Sequence, residues 1–437
     1  MMDNRYNWHP LYKYVCQVVE FFREGATFYS TNFEEMLNFI SENCIHAEVA
    51  ELLNVFKPLH ITCYENFALF KYENYIELSD LGYNNPTEFF STHNNLYREC
   101  RSVVFDVENL SIVLAPQSKF FNVNEIDEWS EQHIRQMINN AKTVEISNKI
   151  DGSNQNARYY NGEYVLAGSQ ALDSNESWRV TEGYKLLTDN YKKLLRDYPD
   201  YTFMFEYISP KNQVVVYYPK EMEGLYLFGM RNVYTGDELL YEDVLRIAKE
   251  YNVKTTEVYN DTFDDILNQL DNYKSSEKEG WVIRIVNEDM TTFKAKLKVN
   301  DYVLMHHAIS ALVSPNAVIE AVAENKYDDF YSKVPIGMRD IVNDYCRTLY
   351  EYKGLRWELA AYYKNLAFRN LGLDASMVDL MKWVTNNVPK VVAPDVRELI
   401  RNKNYEINYF VRHGSYYRYK EITELLLKYK ALYEEVF

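Results

Sequence analysis

A lysine followed by a tight turn, Lys149-Ile150-Asp151-Gly152-Ser153, is the first place in this chain where residue types and spacing point to chemistry. Thr143 to Ile150 and Ala157 to Tyr160 are strand-forming, so Lys149 stands at a rigid strand end, where its amine can be presented to an electrophilic phosphorus. Asp-Gly between two strands is also the ordinary composition of a hairpin turn, because glycine accepts positive φ. A lysine attacks only as the neutral amine, so its pKa has to be lowered by nearby cations or partial desolvation. Phe293 to Val299 offers the cations. Lys294, Lys296 and Lys298 alternate with apolar residues, which puts three amines on one strand face about 7 Å apart. Such a row binds phosphate oxygens and depresses the pKa of a neighbouring ammonium group.

Two carboxylates supply what lysines cannot. Glu206 shares a strand face with Met204 and Ile208, a setting in which an unpaired charge is costly. Glu279 opens the strand Gly280-Trp281-Val282 and suits Mg²⁺, which takes carboxylate, water and phosphate oxygens together. Upstream, Arg101 in E-C-R-S-V-V-F-D and Lys119 with Phe121 in K-F-F-N add positive charge and an aromatic face. Taken singly, these are equally a solvated lysine face, a strand-start glutamate and core aromatics.

Their order along the chain is more specific. Arg101, K-F-F-N, K-I-D-G-S, F-E-Y, E-G-W-V and the K-x-K-x-x-x-Y of Lys296, Lys298 and Tyr302 resemble the ordered motifs of the covalent nucleotidyltransferases. E-C-R-S-V-V-F-D, K-F-F-N-V-N-E and the K-x-K-x-x-x-Y-V-x-x-H ending at His306 look most like the bacteriophage RNA ligase 1 family, over roughly residues 61–306. The resemblance implies Lys149 as nucleophile, Arg101, Lys119 and Phe121 in the nucleotide and triphosphate pocket, and Asp151 and Gly152 shaping the nucleophile's turn. It implies Glu206 at the ribose or the metal, Glu279 and Gly280 in the metal-bearing motif, and Lys296 and Lys298 on the α-phosphate. Lys294 is two residues too far from Tyr302 to match.

The implied activity joins a 5′-phosphate to a 3′-hydroxyl of single-stranded RNA or a broken tRNA through lysyl-AMP and RNA-adenylate, using ATP and Mg²⁺, with Mn²⁺ as a substitute. A polynucleotide kinase/phosphatase acting on the same ends is the implied partner. The chain departs from the family where a lysine precedes Gly-Ser after the nucleophile: here Ala167 precedes Gly168-Ser169, so that either Arg158 or Lys185 replaces it or triphosphate binding is weaker. A capping guanylyltransferase or a DNA ligase shares K-x-D-G chemistry but calls for an oligonucleotide-binding barrel after Lys298, where this sequence turns helical. The rival from another class is an RNA-binding protein with an inactive nucleotide site.

The elements that must position these residues read as α+β, an antiparallel-sheet nucleotidyltransferase domain followed by an all-α domain. Residues 1–60 read as a helical extension of the catalytic domain. Residues 61–307 carry strand signals at Ser102–Val107, Thr143–Ile150, Glu163–Ala167, Tyr201–Ile208, Gln213–Tyr218, Gly224–Met230, Trp281–Val286 and Thr292–Val299. Residues 308–437 have helical periodicity broken at Pro335, Gly354, Gly372, Pro389, Pro394 and Gly414. With 437 residues and 47% hydrophobic content, two cores are expected.

The net charge of −17 by itself disfavours nucleic acid. The acidity lies in the first two-thirds, however, and from Ala308 onward the balance is near neutral. There Arg401, Lys403, Arg412, Arg418 and Lys420 interleave with Tyr405, Tyr409, Phe410, Tyr416, Tyr417 and Tyr419, a pattern suited to tracking phosphates and stacking bases. Five cysteines without a C-x-x-C pair predict reduced thiols and no zinc site. The absence of a leader or a long apolar run predicts a cytoplasmic protein.

Overall fold

The computed structural model describes residues 3–43, 47–73, 78–172, 177–323, 326–402 and 416–434. The chain divides into two compact units, Met1–Val303 and Leu304–Phe437. The division falls inside the helix Asn300–Leu312.

The first unit begins with the helices Tyr12–Gly25, Phe33–Asn43 and Ala47–Phe56. Tyr12, Val15, Val19 and Phe22, at helical spacing, are buried. Thirteen strands follow among the described residues: β1 Leu59–Tyr64, β2 Phe67–Tyr72, β3 Arg101–Asp106, β4 Ser111–Leu114, β5 Phe121–Asn122, β6 Thr143–Lys149, β7 Ser153–Tyr160, β8 Glu163–Ala167, β9 Tyr201–Ile208, β10 Gly224–Asn232, β11 Val258–Tyr259, β12 Gly280–Val286 and β13 Thr292–Lys298. They form three sheets, ordered β1-β2-β3-β4, β10-β9-β7-β8 and β11-β6-β12-β13-β5. Pairing is antiparallel apart from the short β13–β5 contact. The N-terminal segment is tied into this unit: the Trp8 ring lies against Gly236, its Nε1–H donates to the Val233 carbonyl at 2.9 Å, and the Arg231 guanidinium stacks on it at 4.7 Å.

Two local expectations fail. β6 and β7 do not form a hairpin, since they belong to different sheets and the K-I-D-G-S turn carries the chain from one to the other. Gln213–Tyr218 is not a strand. Its backbone donors serve a carboxylate instead of a ladder, with Val215 and Val216 N–H groups reaching Asp151 Oδ2 at 2.8 and 2.7 Å.

The second unit is helical, with Pro315–Ala323, Arg339–Leu371, Met377–Asn387, Ala393–Arg401 and Tyr416–Glu434 around one apolar core. Gly354 does not end a helix but lies within the 33-residue helix Arg339–Leu371. Pro394 sits in the first turn of its helix, where the missing N–H costs nothing. Cys16, Cys100 and Cys346 are buried free thiols and Cys63 is half-buried, whereas Cys44 lies outside the described residues. No single described helix is long and apolar enough to cross a membrane.

Candidate active site

The register of the five-stranded sheet assembles the central residues. Lys149 on β6 pairs with Gly280 on β12, which pairs with Lys298 on β13. One rung further, Ser147, Val282 and Lys296 align, and then Glu145, Arg284 and Lys294. Residues two apart share a face, so these rungs carry the charged side chains on one side of the sheet. The intervening rungs pack Trp281, Ile283, Ala295 and Leu297 into the core.

Gly280 has φ +155°, and a Cβ there would lie 2.1 Å from the Leu297 carbonyl oxygen. The bare backbone allows that close approach, and Glu279, the residue before Gly280, reaches both flanking lysines. Its carboxylate takes Lys149 Nζ at 2.8 Å and Lys298 Nζ at 3.0 Å. Burial would raise the Glu279 pKa, but the charges of Lys149 and Lys298 win and lower it. For Lys149, burial works downward, while Glu279, then Glu206 and Asp151, work upward and prevail. The expected depression of the Lys149 pKa is therefore reversed in the ligand-free protein. The lysine row lies nearby, but the strongest charge at the amine is a carboxylate.

A cavity of about 280 Å³ opens on this face. Arg101, Lys149, Gly152, Glu206, Lys296 and Lys298 all line it. Lys296 has no acidic partner among the described residues; burial, then Arg101 and Lys149, hold its pKa well below the usual lysine value. Arg101 presents a buried Nη1 without a hydrogen-bond partner among the described residues. Glu206 faces the cavity from β9, and its pKa is raised to about 8, chiefly by desolvation, against the opposing pull of Lys149. Lys294 does not take part: it is buried against Glu238 and donates to Gln117 Oε1 at 2.8 Å.

Asp151 and Gly152 hold the turn. Asp151 Oδ1 accepts from the Tyr302 hydroxyl at 2.8 Å, and its backbone N–H donates to the Tyr218 hydroxyl at 3.1 Å. Gly152 is needed for room: a Cβ would meet the Tyr207 carbonyl oxygen at 2.4 Å and Ile208 Cγ2 at 2.8 Å.

Comparison with known proteins bears on this arrangement. A family model described as RNA ligase matches residues 99–302, the interval that holds every one of these side chains. That interval is similar to RNA ligases of the T4 RNA ligase 1 type. A protein of Autographa californica nuclear polyhedrosis virus, named for polynucleotide kinase and RNA ligase activities, is 24% identical over 264 residues, or 56% of this chain. The chain spans about a third of that relative's length, 36%. Among solved structures, a Naegleria gruberi RNA ligase with pyrophosphate gives a TM-score of 0.32 at 20% identity, covering 40% of this chain and 55% of that one. An Aquifex aeolicus protein named for ATP-dependent DNA ligase activity gives 0.40 at 13% identity, covering 82% and 88%.

Within the matched interval, some residues fall away from their expected positions. Phe121 is buried against Trp129 and Phe90, and its neighbour Phe120 lines the cavity. Alternation at β5 turns the two rings to opposite sides. Lys119 does not line the cavity; its amine sits over the rings of Phe121, Tyr72 and Phe90 at 4.9, 5.2 and 5.5 Å. Ala167 is fully buried in an apolar cluster with Leu69, Val104 and Val113. Neither proposed replacement reaches the site. Arg158 is buried and bonds the carbonyls of Pro199, Ile112 and Val113, and Lys185 pairs with Glu182. Sequence reasoning did not single out Gln117, Asn148, Asn154, Phe228, Tyr241 or Thr256, which also line the cavity. Asn154 enters through the β7–β9 pairing, directly opposite Glu206, which no sequence pattern showed.

Proposed function

We propose that this chain is an ATP-dependent RNA ligase in which Lys149 carries AMP. One observation carries the reading: Glu279 joins the Lys149 and Lys298 amines across Gly280, beside a cavity lined by Lys296, which has no acidic partner among the described residues.

In the first step the Lys149 ammonium gives one proton to solvent, the neutral Nζ forms a bond to the α-phosphorus of ATP, the phosphorus–oxygen bond breaks with its electron pair on pyrophosphate, and the nitrogen sheds its second proton to solvent. Lys296 and Lys298 neutralise the α-phosphate oxygens, and Glu279 holds the Lys149 amine in place while it is still protonated. In the second step a 5′-phosphate oxygen of RNA attacks the same phosphorus and Lys149 departs. In the third, a 3′-hydroxyl attacks the RNA 5′-phosphorus and AMP departs. Each displacement demands alignment and charge neutralisation rather than further covalent help.

Among the described residues there is no cluster of three His, Cys, Asp or Glu groups able to hold a metal ion unaided. That fits an ion that arrives with phosphates and water, for which Glu206 and Glu279 are the available oxygens. A bound Mg²⁺ or Mn²⁺ would neutralise phosphate oxygens in each displacement. The substrate we infer is single-stranded RNA, including a broken tRNA loop, with 5′-phosphate and 3′-hydroxyl ends of the kind a polynucleotide kinase/phosphatase generates.

Incubation with α-labelled ATP and Mg²⁺ should put one acid-labile, base-stable AMP on the protein, and Lys149→Ala should abolish it without loss of fold. AMP transfer to the folded Lys149→Ala variant, or stronger labelling from GTP, would overturn the assignment.

A further inference from the structure

The cations around the cavity fall into two sets. Lys149 and Lys298 share Glu279 as ion-pair partner, and Lys294 pairs with Glu238. Lys296, Arg101 and Lys119 have no acidic partner among the described residues, and they lead away from Lys149 toward the four-stranded sheet of β1 to β4.

Lys71 extends the second set. It lies opposite Arg101 in the β2–β3 register, so the two side chains leave the same sheet face as neighbours. Burial lowers its pKa, Glu73 opposes, and Arg101 and Lys119 lower it further, so the three cations lie within reach of one another's field. The nearby Glu73 carboxylate is engaged by His60 at 3.2 Å.

The same face meets the segment that follows β8. Leu69, two residues before Lys71, packs with Ala167, and Thr62 on β1 donates to the Gln170 carbonyl at 2.9 Å. Ser102, next to Arg101, donates to the Ser169 carbonyl at 2.7 Å. Lys71 thus stands beside the stretch in which position 167 offers a methyl group and no charge. A row of basic side chains that form no ion pair among the described residues, running from Lys296 past Arg101, whose buried Nη1 has no hydrogen-bond partner among those residues, is suited to a polyanion longer than one phosphate.

We propose that Lys71, together with Arg101 and Lys119, forms the subsite for the two phosphates of ATP that leave as pyrophosphate. The assignment rests on the ligase reading above and adds to it a residue outside the matched interval, on β2.

The test compares the full-length chain with Lys71→Ala and Lys71→Arg, each checked for an unchanged melting temperature. Three quantities are measured: KM for ATP in lysyl-AMP formation, the pyrophosphate concentration that discharges half of the lysyl-AMP, and the rate of sealing RNA already adenylylated at its 5′ end, which uses no triphosphate. Loss of one charge-assisted contact should raise the first two by about tenfold in Lys71→Ala. Lys71→Arg should recover most of that, and sealing should not change. Unaltered KM and pyrophosphate response would overturn the subsite. A defect confined to sealing would overturn it in favour of an RNA-phosphate contact. Absence of lysyl-AMP from the parent chain would remove the ligase reading itself, and this subsite with it.

Discussion

Lys149 shows what a linear sequence conceals about charge. The alternating lysines of β13 are visible from spacing, and their presence argues for a depressed nucleophile pKa. That Glu279 reaches Lys149 follows only from the β6–β12–β13 register and the close approach at Gly280, which no local pattern encodes. The carboxylate that holds the amine in position also keeps it protonated, so nucleotide or cation must draw Glu279 away before attack. Glu279→Gln should therefore lower the Lys149 pKa in the ligand-free protein. Acetylation of Lys149 near pH 8, followed by mass spectrometry, should run several-fold faster than in the parent, while lysyl-AMP formation falls at least tenfold for want of the carboxylate. Equal acetylation rates would show that Glu279 does not control the amine.

Glu206 carries a second expectation at this scale. Its pKa rises from an ordinary 4.5 to about 8 on folding. Between those values the unfolded chain has released a proton that the folded chain still holds, so this carboxyl costs stability as pH rises from about 5 to about 8. In EDTA, Glu206→Gln should flatten the fall of melting temperature across that window; a slope identical to the parent's would place the proton elsewhere.

Strands with clean alternation, such as β13, were legible because one face packs and the other does not. The positions that defeated pattern reading are those where backbone groups or glycines answer to tertiary partners. Gln213–Tyr218 has strand composition, yet its N–H groups bind Asp151. Three glycines that look alike in sequence have three different roles. Gly152 makes room for Tyr207 and Ile208, Gly280 combines φ +155° with a close approach to Leu297, and Gly354 has nothing within 4 Å of where its Cβ would be. Gly280→Ala should lower stability by about 2 kcal/mol or more and abolish adenylylation, because backbone strain and a clash fall on the strand between the two lysines. Gly354→Ala, in the middle of Arg339–Leu371, should raise stability of the helical unit by about 0.5–1 kcal/mol, read as an increased denaturation midpoint. A destabilised Gly354→Ala chain would mean that the helix needs flexibility there.

At the scale of the whole molecule, the chain carries a site-bearing unit and a helical one, for which we propose a role in RNA docking. Part of the stretch that suggested this, including Lys403, Arg412 and the side chain of Arg418, lies outside the described residues. Tyr419 does not fit the stacking role first read into it. It is buried against Tyr352 at 4.7 Å between ring centres, inside the helical core, so composition overcounted the available aromatic faces.

The first unit contains the cavity, the Glu279 clasp and the Tyr302–Asp151 hydrogen bond, so a chain ending after His307 keeps every group the lysyl-AMP step uses. If folded, that chain should form lysyl-AMP within a few-fold of the parent rate but seal RNA at least tenfold more slowly. In the full chain, charge reversal at Arg412 and Arg418 should weaken RNA binding most at low salt and leave the adenylylation rate unchanged, since phosphate contacts act through counterion release. RNA affinity untouched by those reversals at low salt would remove the docking role. Loss of lysyl-AMP in the folded truncated chain would mean that the helical unit serves the nucleotide step itself.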